Sequence, residues 1–370
     1  MMVEPQEDIL KSVAVVIPCY NHGQFLLEAI ASVENEPEFS GELVIVNDGS
    51  TSPTTLAILD QLRDKQYPIL DTENQGLSEA RNHGIRHTSS PYILPLDADN
   101  QLEPGFLKAS AKVLEENSSV GVVYGDRRVF GEHDQQVKLA NFDLGRLLLG
   151  NFIDACALFR RKVWEDAGGY DSKIPDQLGY EDWDFWLGAV EAGWKFHYLE
   201  KAAFRYRSRP GSMVSGCNLP ANRKRLFQYI CSKHYGLYSA QFPEVFATKE
   251  AQRLEALDEA FEYSVALSEA RAALAIAQQE RDQYYEKNQI LQQRIQQFET
   301  DNQARIAPDQ VSLQQVEASA EQAQYWQTEH SKVLAELNNL RQIHQHFLDN
   351  PWWKAKAKMG RLVRSLMGRS

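Results

Sequence analysis

Between residues 12 and about 235 the chain alternates short apolar runs with helically spaced segments, and this alternation narrows the possible folds more than any other feature. "SVAVVIPCY", "GELVIVND", "YPILDT", "SPYILPLD" and "VGVVYGD" read as strands. The first two are almost unbroken runs of β-branched residues, as required of strands covered on both faces. Between them "GQFLLEAIASV" and "TTLAILDQLRD" carry apolar residues at helical spacing. Strands alternating with helices predict an α/β domain over 12–235, a mostly parallel sheet with helices on both faces, after an extension at 1–11.

Beyond that domain the composition changes. Glycine and proline nearly vanish from 248 to 349, while Gln, Glu, Ala and Leu dominate. Tyr284, Asn288, Leu291, Ile295 and Phe298 recur at steps of four and three, as do Val333, Leu337, Leu340, His344 and Phe347. Such heptad spacing predicts coiled-coil helices over 236–349 that pair in a hairpin or between chains, giving a homo-oligomer in the second case. Pro308 predicts a break between two helices. The last segment, 350–370, carries six Lys or Arg and no acidic residue. As a helix it would align Trp352, Ala355, Met359, Leu362, Val363 and Leu366 on one face, which suits an anionic membrane surface. Docking on the chain's own acidic body is the other reading of that tail.

A net charge of −12 argues against nucleic acid as the partner. The four cysteines form no C-x-x-C pair, so neither a zinc site nor a disulfide framework is indicated. Reduced thiols, an acidic N-terminus and no run of ~18 apolar residues predict a cytoplasmic protein, peripheral at most on the inner membrane face.

Ligands of open α/β sheets bind beyond the carboxyl ends of the strands. Here those ends carry Tyr20 and Asn21 in "VIPCYN", Asp48 in "VIVNDGS", and Asp97 and Asp99 in "YILPLDADN". "ENQGLSEARNHG" adds Gly76, Arg81 and Asn82 before another helix. Two carboxylates separated only by Ala98 repel each other, and burial worsens the repulsion. Mg²⁺ or Mn²⁺ would relieve it and would bridge to substrate phosphates. Alone, the pair is a weak motif that an exposed acidic turn explains better. In "YEDWDFWLGAVEAG" the stripe Trp183, Trp186, Leu187 and Val190 predicts a helix with Glu181 and Asp182 at its start. Those carboxylates are either N-terminal caps or a general base.

Taken in order, "VVIPCYNHGQFLLEAIASV", "ELVIVNDGST", "ENQGLSEARNHGI", "YILPLDADN", "RRKVWEDAGGYD" and "YEDWDFWLGAVEAG" resemble the inverting family 2 glycosyltransferases of GT-A, Rossmann-like fold over residues 12–215. The resemblance implies a nucleotide-sugar donor, typically a UDP-sugar, and a glycan or lipid-linked acceptor. It implies that Pro18, Tyr20 and Asn21 lie along the nucleoside, with Asp48 on the base. Arg81 and Asn82 are implied to hold the nucleotide, with Gly76 allowing close approach. The same resemblance implies that Asp97 and Ala98 face the ribose, that Asp99 with Asp97 binds the metal, and that Asp182 is the catalytic base with Glu181 as its substitute. One departure stands out. Many relatives carry a metal-binding histidine late in the domain, where "RYRSRPGSM" has Arg209. Arginine is no metal ligand, so either Asp99, phosphates and water hold the ion or Arg209 neutralises the diphosphate itself. A nucleotidyltransferase would need a Gly-rich loop that "PCYNHGQ" lacks. A non-catalytic nucleotide-sugar-binding scaffold on a coiled coil is the remaining alternative.

Overall fold

The structure is a computed structural model that describes residues 9–132, 134–209 and 213–302, with six single helical positions between 318 and 335. It divides into two compact units, Met1–Ala247 and Thr248–Ser370.

The first unit is built on nine strands among the described residues. β1 (Val13–Cys19), β2 (Glu42–Asp48), β3 (Ile69–Thr72) and β4 (Tyr92–Pro95) form its parallel half, in the order β3-β2-β1-β4. Every residue of β1 is buried. β5 (Gln101–Leu102), β6 (Val120–Gly131), β7 (Gln135–Val137), β8 (Leu158–Arg160) and β9 (Lys195–Ser208) complete the sheet. β8 joins β4 antiparallel, β6 follows it, and β9 runs parallel to β6 and carries β5 on its far side. Pro95 cannot donate to the ladder, and β4 ends there, although Leu96 N still reaches Val16 O at 2.9 Å. The chain then turns through Asp97–Asn100 and crosses to β9. The acidic pair therefore sits between the two halves of the sheet.

Helices α1 (Gly23–Glu34), α2 (Pro53–Asp64), α3 (Leu77–Arg86), α4 (Phe106–Glu116), α5 (Leu144–Leu149), α6 (Arg161–Ala167), α7 (Glu181–Glu191), α8 (Met213–Cys217) and α9 (Pro220–Lys233) surround the sheet. Two cores result. Val13, Val15 and Ile17 of β1 pack with Leu26, Ile30 and Leu107 on one face, while Val16, Val46 and Ile93 pack with Ile85, Trp183 and Trp186 on the other. Alternation along a strand produces both from the same run. Gly84 lets α3 lie directly on the sheet, since a Cβ there would come within 2.3 Å of Val16 Cγ1.

The strands expected from apolar runs appear as β1, β2, β3, β4 and β6. β9, the partner of β6, has no such run; it is half exposed along most of its length and draws its order from pairing. All four cysteines are free.

A tenth helix, α10 (Tyr235–Asn302), starts one residue before the expected boundary at 236 and includes Pro243. In the second unit Ala260, Leu267 and Leu274 are buried at seven-residue intervals, with half-buried Leu257 three residues before the first and half-buried Ser264 between the first two. That is a heptad seam. The backbone of the expected seam at 284–298 is helical. The predicted break at 308, the seam at 333–347 and the basic tail at 350–370 lie outside the described residues. No described helix is long and apolar enough to cross a membrane.

Candidate active site

The loops beyond β1, β2 and β3 brace one another. Asn21 adopts a left-handed backbone (φ 57°), which asparagine tolerates better than most residues. Its side-chain oxygen accepts from Thr51 N and Ser52 N, both at 2.8 Å, and its own N–H donates to Ser50 Oγ at 3.0 Å. Asp48, at the end of β2, accepts from Gln75 N and Gly76 N, both at 2.9 Å. Tyr20 is exposed above these loops, whereas Pro18 is buried within β1.

Arg81, projecting from α3, is only 1% exposed. Its guanidinium donates to Asp97 Oδ1 at 2.7 Å and to Glu181 Oε1 at 2.5 Å, and lies over the Tyr170 ring. Burial opposes the charge, but the two carboxylates outweigh it and hold Arg81 firmly protonated. Arg81 therefore ties the acidic turn after β4 to the start of α7. Arg81, expected to hold the nucleotide, spends Nη1 and Nη2 on this clamp, while its buried Nε has no hydrogen-bond partner among the described residues. Asn82 is likewise committed to the chain. Its oxygen accepts from Trp164 Nε1 and Tyr170 N, both at 2.9 Å, and its Nδ2 donates to Tyr170 O. Gly76 (φ +88°) does permit a close approach, but by Gln177, whose Oε1 would lie 2.5 Å from an added Cβ.

Gln177 belongs to a strained loop. Asp176, Gln177 and Tyr180 all have positive φ, as does Gly179 between them, just before α7. That backbone delivers Glu181 and Asp182 in different directions. Glu181 is buried on Arg81. Asp182 is half-buried; it accepts from Asn151 Nδ2 at 2.8 Å and from Trp183 N at 2.7 Å. Burial, then Glu181 and Asp154 nearby, push its carboxyl well above the usual range. Trp183 Nε1 and Trp186 Nε1 donate to Leu147 O and Ile153 O, which moors the segment carrying Asn151 and Asp154 against α7. Asp154 is itself raised, chiefly by burial, with Arg127 acting against that at 3.9 Å. Neither Asn151 nor Asp154 stood out in the sequence. They lie between α5 and β8, and no periodicity aims such loop residues at a site.

On the other side of the acidic turn, Arg209 Nε donates to Asp99 Oδ2 at 2.9 Å and Arg209 Nη2 lies 2.7 Å from His22 Nε2. Burial lowers the proton affinity of His22, as does Arg209, against the pull of Asp99. A neutral imidazole can accept that hydrogen bond. The expected Mg²⁺ or Mn²⁺ site on Asp97 and Asp99 does not match these donors. No group of three His, Cys, Asp or Glu suited to a metal occurs among the described residues. An ion on Asp99 would have to displace Arg209 or sit beside its positive charge, which repels a cation.

The arrangement is an α/β domain in which a carboxylate of raised proton affinity, Asp182, stands at the start of α7. Residues 14–168 match the family model "Glycosyl transferase family 2". Chondroitin synthase of Pasteurella multocida is 26% identical over 59% of this chain and 23% of its own length. The poly-beta-1,6-N-acetyl-D-glucosamine synthase of Staphylococcus epidermidis is 21% identical over 54% of this chain and 49% of its own. The match thus spans from about a quarter to about half of these relatives. S. aureus TarS 1-349, solved in complex with UDP-GlcNAc, superposes with a TM-score of 0.48 at 19% identity, over 58% of this chain and 64% of that one. Residues 14–168, within the domain that carries this site, thus resemble glycosyltransferase family 2, a likeness that supports a glycosyltransferase.

Proposed function

We propose that the protein transfers a sugar from a UDP-type donor to a hydroxyl of a glycan or lipid-linked acceptor, with inversion at the anomeric carbon and Asp182 as general base. The acceptor oxygen forms its bond to the anomeric carbon while the nucleoside diphosphate leaves with the electrons of the broken C–O bond. The acceptor proton passes to Asp182. The observation that carries this reading is the division of labour between neighbours. Glu181 is held by Arg81, whereas Asp182 makes no salt bridge among the described residues and has its proton affinity raised. A carboxylate tuned in that direction is the better base near neutral pH. Asn151 acts as a positioning residue for it, since its amide holds one carboxylate oxygen.

Donor recognition rests on the family resemblance and on Asp48. Its two oxygens receive backbone N–H groups, yet a carboxylate has about four acceptor sites and can still take an N–H from the base. Tyr20 is exposed for stacking on that base. The relatives named as synthases of chondroitin and of poly-beta-1,6-N-acetyl-D-glucosamine support a glycan product. The basic tail at 350–370 would bring the enzyme to an anionic membrane that bears a lipid-linked acceptor.

The test is Asp182→Asn. Sugar transfer from UDP-sugars should fall by ~10²–10⁴ while donor affinity stays within a few-fold, measured by nucleoside diphosphate release and by calorimetry. Turnover near that of the parent protein would move the base elsewhere.

A further inference from the structure

We infer that Arg209 takes the place of the divalent cation, so that the donor's diphosphate is held by a guanidinium fixed on Asp99 and His22 and its binding needs no metal. The inference rests on the nucleotide-diphosphate donor proposed above. Its starting point is the repulsion between Asp97 and Asp99. In the structure each carboxylate already has a positive partner: Arg81 is 2.7 Å from Asp97, and Arg209 is 2.9 Å from Asp99. The charge that a cation would have to neutralise is thereby met by protein.

Three segments fix the guanidinium, so it is no chance surface pair. Asp99 lies in the turn after β4, His22 opens α1, and Arg209 follows the last residue of β9. The register of β9 against that turn is set two residues earlier. Arg207 N donates to Asn100 Oδ1 at 3.1 Å, and Arg207 Nε donates to Asp99 O at 3.0 Å. Residues two apart on a strand share a face, so this anchoring also brings Arg209 to the turn. Asp99 and Arg209 keep 16% and 27% of their side-chain surface exposed, enough for a ligand to reach them.

A guanidinium has five N–H donors. Asp99 takes Nε and His22 faces Nη2, which leaves Nη1 with no hydrogen bond among the described residues. The planar fork that remains suits two oxygens of a diphosphate. Bound there, the charge of Arg209 would also stabilise the leaving diphosphate as its bond to the sugar breaks.

The experiment is calorimetric titration of the full-length protein with a panel of UDP, GDP, ADP and dTDP, in EDTA and in Mn²⁺. Wild type, Arg209→Ala and Arg209→His are compared, with circular dichroism confirming that each is folded. We expect the wild type to bind one of these nucleotides with affinities that agree within about threefold in the two media. Loss of charge-assisted hydrogen bonds should weaken Arg209→Ala by roughly 10- to 100-fold in EDTA. Arg209→His should bind tightly only with Mn²⁺, because it restores an imidazole ligand beside Asp99. A tenfold or greater gain of wild-type affinity in Mn²⁺, or unchanged affinity of Arg209→Ala in EDTA, would overturn the inference and leave the transferase reading standing. Absence of binding to every nucleotide in both media would remove the donor site and this inference with it.

Discussion

Replacing Arg81 by methionine should cost more stability than any other single change in the site. Arg81 is 1% exposed and serves Glu181, 8% exposed, and Asp97, 32% exposed. Methionine roughly fills the space but leaves Glu181 as an unpaired buried carboxylate. Removing one partner of a buried ion pair costs about 3–5 kcal/mol. Asp97 adds little, because water reaches it. In a domain of this size each kcal/mol lowers Tm by about 2–4 °C, so Arg81→Met should melt roughly 6–20 °C below the parent by calorimetry or circular dichroism. The double variant Arg81→Met with Glu181→Leu should recover much of the stability, since an apolar pair replaces a broken ionic one. A single variant within about 1 kcal/mol of the parent, or a double variant no more stable than the single, would refute the clamp.

Other consequences follow from the same contacts. His234 is buried with Nε2 3.0 Å from Asp184 and Nδ1 2.8 Å from Glu191, and these carboxylates outweigh burial and raise its pKa above the usual 6.5. Its contribution is therefore fully present below pH ~6.5 and is lost as pH rises through the higher folded value. Accordingly His234→Leu should be about 1–3 kcal/mol less stable than the parent in acid, with the Tm gap closing in alkali; a gap that widens with pH would contradict the pairing. The basic tail should bind vesicles containing anionic lipid in low salt, whereas residues 1–349 should not. Equal sedimentation of both proteins would instead favour docking of the tail on the protein itself.

Several residues of the candidate site are legible in the sequence. Asp48, Asp97, Asp99 and Asp182 stand where apolar runs stop or helices start, and polar residues at such boundaries are visible in one dimension. The run in β1 required burial on both faces, and the two cores on either side of it follow from side-chain alternation. Helical heptads likewise announced α10, because that pattern is local. What sequence could not decide was which groups meet. The residues around Arg81 in the sequence give no sign that packing of α3 against the sheet would bury it between Asp97 and Glu181. Glu181 and Asp182 are adjacent and chemically alike, and only the left-handed turn at Tyr180 and the position of Asn151 give them different partners. Arg209 lies 110 residues from Asp99 along the chain. Ion pairs depend on separation in space, which strand pairing between β5 and β9 sets and no local spacing encodes.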